Sequence, residues 1–359
     1  MEGNMKAVVL HAPNVYQVEE VEIPKPGRNE VLVEIKSIAI CGSDPGIFGG
    51  KVLGDGWPPH YPFIAGHEFA GKVVELGEGA SNLKVGDRVA GEAHCGCGTC
   101  EMCKKGFYNL CDNYGHSGHH HYGHATPGCY AQYQVYDEKA LTLMPENVSY
   151  DEGSMVDTAG IAFNGIQLTG IVPGGWVGVI GPGPMGLLLA QMAKTMGAKT
   201  IIIGYQDHDR LEMAKTVGVD HVIETTEVTD VVEEVRRITG GHGTDRTFDC
   251  AGAGDTLDEA IRMTAKNGKV GVIAYPKVPT TQKALYYMVK NQITVQGVRA
   301  NPNCSLPVLG LIGHGKLEAG RLITHTFPLE QTAEAFDTFV NHKDGAVKVV
   351  IHPNGDEED

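Results

Sequence analysis

The sequence predicts an α/β protein, with a doubly wound parallel sheet in its second half and a β-rich, turn-rich first part. Three observations predict it. Residues 176–207 read as strand, glycine turn, helix and strand, running from Trp176 through Gly181-x-Gly183-x-x-Gly186 to Asp207. Strand-like and helix-like segments then alternate to about residue 297, the pattern of a parallel sheet covered on both faces. Residues 5–40 instead alternate apolar and polar side chains between Pro24, Pro26 and Gly27, with no long amphipathic helix.

With 359 residues, two domains are the natural expectation. Hydrophobic residues make up 42% of the chain and charged residues 20%, enough apolar content for sizeable cores. The formal net charge of −15 argues against nucleic acid or an anionic membrane surface as partner. The first residues show no apolar leader pattern. Residues 161–193 carry no charge, but Asn164, Gln167, Pro173, Pro182 and Pro184 interrupt them, so a turn-split βα unit fits better than a membrane span. A cytoplasmic protein is expected. The chain has nine cysteines, and in that compartment clustered cysteines point to metal rather than to disulfides.

In chain order, strands are expected at residues 6–10, 16–23 and 30–38. Cys41-Gly-Ser-Asp44 follows, and then Gly66-His67-Glu68-x-x-Gly71. A thiolate and an imidazole suit Zn²⁺, and a carboxylate completes the three-ligand set of an open catalytic site. Scattered residues have no spacing signature, so by this reading alone Cys41 and His67 are equally well core side chains. Cys97, Cys100, Cys103 and Cys111 are a stronger signal, because four close thiolates read as one filled, tetrahedral, structural zinc site. Their spacing matches neither ferredoxin pattern, and Cys95 breaks the series and is expected to be a bystander. Residues 115–124 hold five histidines and read as a surface or pocket-lining loop rather than a metal site. A strand is expected near 130–136. A helix over 150–170, carrying Asp157 in an uncharged setting, is expected to bridge the domains.

In the second half, strands are expected at 176–181, 199–204, 221–224, 246–251, 269–275 and 293–297. Helices are expected at 209–216, 229–239, 255–264 and 282–290. The turn between Gly181 and Gly186, with Pro184 and Met185 inside it, is the candidate dinucleotide cradle. Gly181 permits the tight turn, Gly183 lets a pyrophosphate approach the backbone, and Gly186 lets helix and strand pack closely. The following helix N-terminus offers free N–H groups to the phosphates. The tail is expected to hold a helix over 332–340, a strand over 346–351 and a frayed acidic end from 355 to 359.

In these three motifs, taken in order, the chain resembles the zinc-dependent medium-chain dehydrogenase/reductase family. The wording Cys41-Gly-Ser-Asp44 and Gly66-His67-Glu68, with Thr324-His-Thr-Phe-Pro-Leu-Glu330, looks closest to its sorbitol (polyol) and threonine dehydrogenases. The resemblance spans nearly the whole chain. It implies a GroES-like catalytic domain from residues 1–157 and 298–359, with a Rossmann domain inserted at 158–297. It implies two zinc ions per chain. One is structural, on the four cysteines. The other is catalytic, with Cys41 and His67 as ligands, Glu68 as ligand or near-ligand, and Asp157 where the family has a further one. Ser43 matches the hydroxyl that relays the substrate proton, and Arg299 an arginine reaching the substrate. Ala300 departs from the family's aromatic there. The implied activity is hydride transfer between a secondary alcohol or polyol and a nicotinamide cofactor, in a homodimer or homotetramer. Alternatives are threonine dehydrogenase-like amino-alcohol oxidation and a binding protein without catalysis.

Cofactor choice turns on the end of the second strand, where NAD-specific enzymes carry an acid for the ribose hydroxyls. That position falls on Tyr205. Arg210 suits a 2′-phosphate, whereas Asp207 and Asp209 would repel one. The balance favours NAD over NADP.

Overall fold

A computed structural model of the chain describes residues 2–51, 60–116, 118–276 and 283–355. It divides into two compact units. One comprises residues 1–158, 301–313 and 323–359; the other comprises residues 159–300 and 314–322. The chain passes from the first to the second within the helix Val156–Thr169.

The first unit is built around a seven-stranded sheet. Its strands run in the order Ile323–Pro328, Lys348–His352, Glu30–Ala39, Phe69–Leu76, Arg88–Gly91 and Leu141–Leu143, with Tyr133–Asp137 also paired to Glu30–Ala39. Both ends of the chain therefore share one sheet: Val350 pairs with Ala39 and Ile351 with Ile38, antiparallel. The hairpin Asn4–Ala12/Val15–Glu22 is attached through the pairings Ala7 to Ala131 and Leu10 to Phe63. Strand Glu30–Ala39 is almost wholly buried, Lys36 and Ser37 included. Aromatic rings fill the core. Phe69 stacks on Tyr136 at 4.3 Å, and Phe48 meets Phe336 edge-on at 4.7 Å. Truncating such a buried ring costs about 3–5 kcal/mol.

The second unit holds a six-stranded sheet in which every pair is parallel. The strands lie in the order His221–Glu224, Lys199–Gly204, Trp176–Ile180, Thr244–Asp249, Thr264–Val272 and Thr294–Gly297. Their succession reverses between Trp176–Ile180 and Thr244–Asp249, which is the switch point where ligands bind in open α/β sheets. Strands 246–251 and 269–275 of the sequence reading begin earlier here, at Thr244 and Thr264. Polar threonines hid those starts. They are satisfied inside the fold by bonds among themselves: Thr244 to Thr247 at 2.6 Å, and Thr247 to Thr264 at 2.5 Å.

Other departures have local causes. The single helix expected at 150–170 is two, Tyr150–Ser154 and Val156–Thr169, the first opened by a Ser149/Glu152 capping box. The helix Ser305–Gly313 was not among the expected elements; its Pro307 lies in the first turn, where a proline breaks no helix bond. The helix expected from 282 is Leu285–Lys290, its first residue lying outside the described residues. The acidic end beyond 355 also lies outside them. Among the described residues, no helix is long and apolar enough to cross a membrane.

Candidate active site and metal centres

Cys41 follows strand Glu30–Ala39, whose continuation is pinned by Ile40 N–H donating to the Val349 carbonyl at 3.0 Å. Helix Asp44–Phe48 begins at once, after Ser43, whose side chain makes no cap bond. The Ser43 hydroxyl donates to Cys41 Sγ at 3.3 Å. Asp44 Oδ2 accepts from Cys41 N–H at 2.9 Å and from the Tyr130 hydroxyl at 2.7 Å. Its Oδ1 stands 3.6 Å from His67 Nδ1. His67 and Glu68 lead into strand Phe69–Leu76 after Gly66, whose φ is +94°. A Cβ on Gly66 would come within 2.5 Å of the Tyr130 ring, so only glycine fits this turn.

The structure brings Cys41, His67 and Glu68 together, with candidate ligand atoms within 4.8 Å of one another. Glu68 is 1% exposed and lies against the buried Lys348 ammonium, while Thr158 Oγ1 donates to its Oε1 at 2.7 Å. Burial alone would raise its pKa, but Lys348 and then His67 outweigh burial and hold the carboxyl below its usual range. Asp157 stands outside this group. Its Oδ1 accepts from Asn301 Nδ2 at 3.2 Å and from Ala93 N–H at 3.4 Å, and burial pushes its pKa up to about 7. Burial lowers the pKa of His67, but the Cys41 thiolate, Asp44 and Asp157 together raise it to about 10. The thiol, imidazole and carboxylate of Cys41, His67 and Glu68 are a donor set that suits zinc.

Cys97, Cys100, Cys103 and Cys111 form the other group. The Sγ atoms of Cys97 and Cys103 are 4.0 Å apart, and those of Cys100 and Cys111 3.8 Å. A tetrahedral ion with ~2.3 Å Zn–S bonds requires sulfurs about 3.8 Å apart. The backbone supports thiolates here. Cys100 N–H donates to Cys97 Sγ and Cys103 N–H to Cys100 Sγ, each at 3.4 Å, and Asn113 Nδ2 donates to Cys97 Sγ at 3.3 Å. Cys95 is not in the group and packs in the hydrophobic core.

In the second unit, Gly181 ends strand Trp176–Ile180 with φ +101°, and Gly183 caps helix Pro184–Thr195. Pro184 takes the helix start, where its missing N–H is no loss, and Met185 follows it. A Cβ on Gly186 would lie 2.0 Å from the Gly181 carbonyl oxygen, whereas one on Gly183 would meet nothing within 4 Å. The helix packs tightly at one glycine and leaves open space at the other. Tyr205 is 66% exposed. Beside it, Glu224 accepts from Gln206 N–H at 2.9 Å and Asp207 N–H at 3.3 Å. The mostly buried Arg210 guanidinium faces Asp207 at 4.0 Å. Arg299 is exposed; its carbonyl accepts from Asn164 Nδ2 at 3.3 Å and that of Ala300 at 2.8 Å.

Sequence reasoning left three residues of these sites without a role. Asp44 stands one residue beyond the serine, and only folding shows that it faces His67. Lys348 is 280 positions from its partner Glu68. Asp249 ends strand Thr244–Asp249 and accepts from Ala251 N–H and Gly252 N–H, both at 3.0 Å, shaping the loop that meets Gly181. An acid closing a parallel strand is its one sequence signal.

Comparison with known proteins agrees with this geometry. Residues 27–146 match the model of the alcohol dehydrogenase GroES-like domain, and residues 184–307 that of the zinc-binding dehydrogenase. The chain is 31% identical over 354 residues to a sorbitol dehydrogenase of Bacillus subtilis (strain 168), covering 98% of each protein. It is also 31% identical over 360 residues to an L-threonine 3-dehydrogenase of Bacillus licheniformis, covering 98% of this chain and all of that one. Among solved structures it resembles the 2R,3R-butanediol dehydrogenase of Bacillus subtilis, with a TM-score of 0.85 and 28% identity over 98% of this chain and 100% of that one.

Proposed function

This chain belongs to the zinc-dependent medium-chain dehydrogenase/reductase family, and on that premise we propose how it works. It is an oxidoreductase that transfers a hydride between a secondary alcohol or polyol and a nicotinamide cofactor. The observation that carries the reading is the Cys41–His67–Glu68 group, its histidine and glutamate buried, with the Ser43 hydroxyl on its sulfur.

Cys41 and His67, with Glu68 or Asp157, would hold a zinc ion that polarises the substrate hydroxyl as a Lewis acid, and the nicotinamide would accept the hydride. The chain's own residues do the rest. Ser43 would relay the substrate proton onward, giving up its own hydroxyl proton as it accepts; in the fold this hydroxyl donates to Cys41 Sγ at 3.3 Å. Asp44 would place a carboxylate beside His67, its Oδ1 3.6 Å from Nδ1. Lys348 and Thr158 hold the Glu68 carboxylate. The Gly181–Gly186 turn and the N-terminus of helix Pro184–Thr195 receive the pyrophosphate. Arg299 contributes to substrate binding. The four-cysteine group takes a second, structural zinc.

NAD is the preferred cofactor. Arg210 is turned to Asp207, and Glu224 adds negative charge beside Tyr205, an environment that repels a 2′-phosphate. The assembly is a homo-oligomer. Among the described residues, strand Thr294–Gly297 is an edge of its sheet, and Leu285, Tyr286 and Val289 nearby in sequence are exposed. None of the nine cysteines is in a disulfide, which fits the cytoplasm.

The test is turnover of a panel of polyols, simple secondary alcohols and L-threonine with NAD⁺ and NADP⁺. Polyol oxidation with NAD⁺ supports the reading. Turnover of threonine alone moves the enzyme to the amino-alcohol branch, and no turnover of any alcohol overturns the assignment.

A further inference from the structure

Glu92 lies outside both metal-ligand groups, yet it is only 7% exposed. It follows strand Arg88–Gly91, and its N–H donates to the Ala140 carbonyl at 2.9 Å. Burying a carboxylate is costly unless hydrogen bonds answer it. Two hydroxyls do so. Ser305 Oγ donates to Glu92 Oε1 at 2.5 Å, and the Tyr108 hydroxyl donates to Oε2. Burial raises the Glu92 pKa, and these two bonds oppose the rise.

The two hydroxyls come from distant stretches of chain. Tyr108 lies in the four-cysteine lobe, between Cys103 and Cys111, and is seated tightly there: a Cβ on Gly96 would come 2.6 Å from both Tyr108 Cβ and Cys103 Sγ. Ser305 opens the helix Ser305–Gly313, in residues 301–313, which return to the first unit between two stretches of the second. The two stretches also meet directly. The Tyr108 hydroxyl accepts from Asn303 N–H at 2.6 Å, and Asn303 Nδ2 donates to the Gly106 carbonyl at 3.1 Å.

Both donors to Asp157 are tied to this junction. Ala93, the residue after Glu92, donates its N–H to Asp157 Oδ1 at 3.4 Å. Asn301, shortly before Ser305, donates its Nδ2 to the same oxygen at 3.2 Å. A leucine at position 92 would stay buried without desolvating a charge. What the glutamate adds is one fixed point for the two segments that hold Asp157.

We propose that Glu92 is a positioning residue of the candidate catalytic site: by clamping Tyr108 of the four-cysteine lobe to Ser305, it sets where Ala93 N–H and Asn301 Nδ2 hold the Asp157 carboxylate. The four-cysteine lobe thereby has a task beyond its own stability, bracing a carboxylate of the other site. The proposal rests on the dehydrogenase reading above, in which Asp157 is a candidate ligand of the catalytic metal.

The test uses the full-length enzyme with zinc kept on the four cysteines and cobalt(II) placed at Cys41 and His67, where its visible absorption bands report the ligand field. Glu92→Ala should shift those bands in the same direction as Asp157→Ala. It should also lower kcat for the best alcohol about tenfold while the KM for NAD⁺ stays within about twofold. Glu92→Gln keeps the shape, accepts from one hydroxyl and donates to the other, so it should restore the wild-type bands and most of kcat. Ser305→Ala removes a single hydroxyl and should shift the bands the same way; it decides the matter where Glu92→Ala does not fold. Wild-type bands in the folded variant, or Glu92→Gln behaving as Glu92→Ala does, overturn the proposal. The bands need no turnover. A wild type that oxidises no alcohol therefore overturns the dehydrogenase reading, while the cobalt comparison still decides whether Glu92 positions Asp157.

Discussion

Replacing Lys348 with methionine tests how the active-site carboxylate is held. Lys348 is 2% exposed and Glu68 1%; the ammonium contacts Glu68 Oε2 and stands 3.3 Å from Thr158 Oγ1. Methionine fills a similar volume but leaves the Glu68 charge buried without its cation. Breaking one side of such a pair costs about 3–5 kcal/mol. At ~2–4 °C per kcal/mol for a unit of this size, Tm should fall by about 6–20 °C. Glu68→Gln alone, which strands the Lys348 charge, should cost a similar amount. The double variant is uncharged and should be more stable than either single one. Thermal and urea unfolding of the four proteins measure the coupling. The pH dependence carries its own sign. The Glu68 carboxyl titrates below 4.5 in the fold, so the pair's contribution is complete above pH 4.5 and fades as pH falls below it. The gap between wild type and Lys348→Met should narrow in that acid range. A double variant that loses the sum of the two single losses would refute the pairing.

Three further outcomes follow from the same geometry. Cys103→Ser should lower zinc content from two ions per chain to one and reduce the urea midpoint, since three thiolates no longer close the tetrahedron; metal analysis and denaturation report both. Gly186→Ala sets a Cβ 2.0 Å from the Gly181 carbonyl, so it should cost about 1–3 kcal/mol and raise the KM for NAD⁺ while leaving zinc content unchanged. In enzyme stripped of zinc, Asp157→Asn should be more stable than wild type above pH 7 and no different below pH 3.8. Burial raises this carboxyl from 3.8 to about 7, so its ionisation costs stability progressively as pH rises through that window; urea midpoints across the range measure it.

What the sequence disclosed follows from how local each signal is. The four cysteines declare themselves because their ligand spacing lies within fifteen positions, and the glycine turn because strand, turn and helix are contiguous. The Glu68–Lys348 pair was illegible, since the two residues meet only when the last strand joins the first unit's sheet. Asp44 was in plain view, but its position facing His67 depends on Gly66 turning the chain under Tyr130. The histidine loop was read as surface or pocket lining by composition. His116 is exposed, but His119, His121 and His124 are buried, His121 paired with His94 in a short strand pair. The helix Ser305–Gly313 was not among the expected elements; its proline lies in the first turn, where it breaks no helix bond.

The central claim is that Cys41 and His67 hold the zinc that makes this chain a dehydrogenase. The most direct measurement is zinc content and alcohol-dependent NAD⁺ reduction for wild type and Cys41→Ala, with circular dichroism as the check on folding. The account predicts two zinc ions and turnover for the wild type, and one zinc ion, an intact fold and no turnover for the variant. Turnover near the wild-type rate in Cys41→Ala would contradict it.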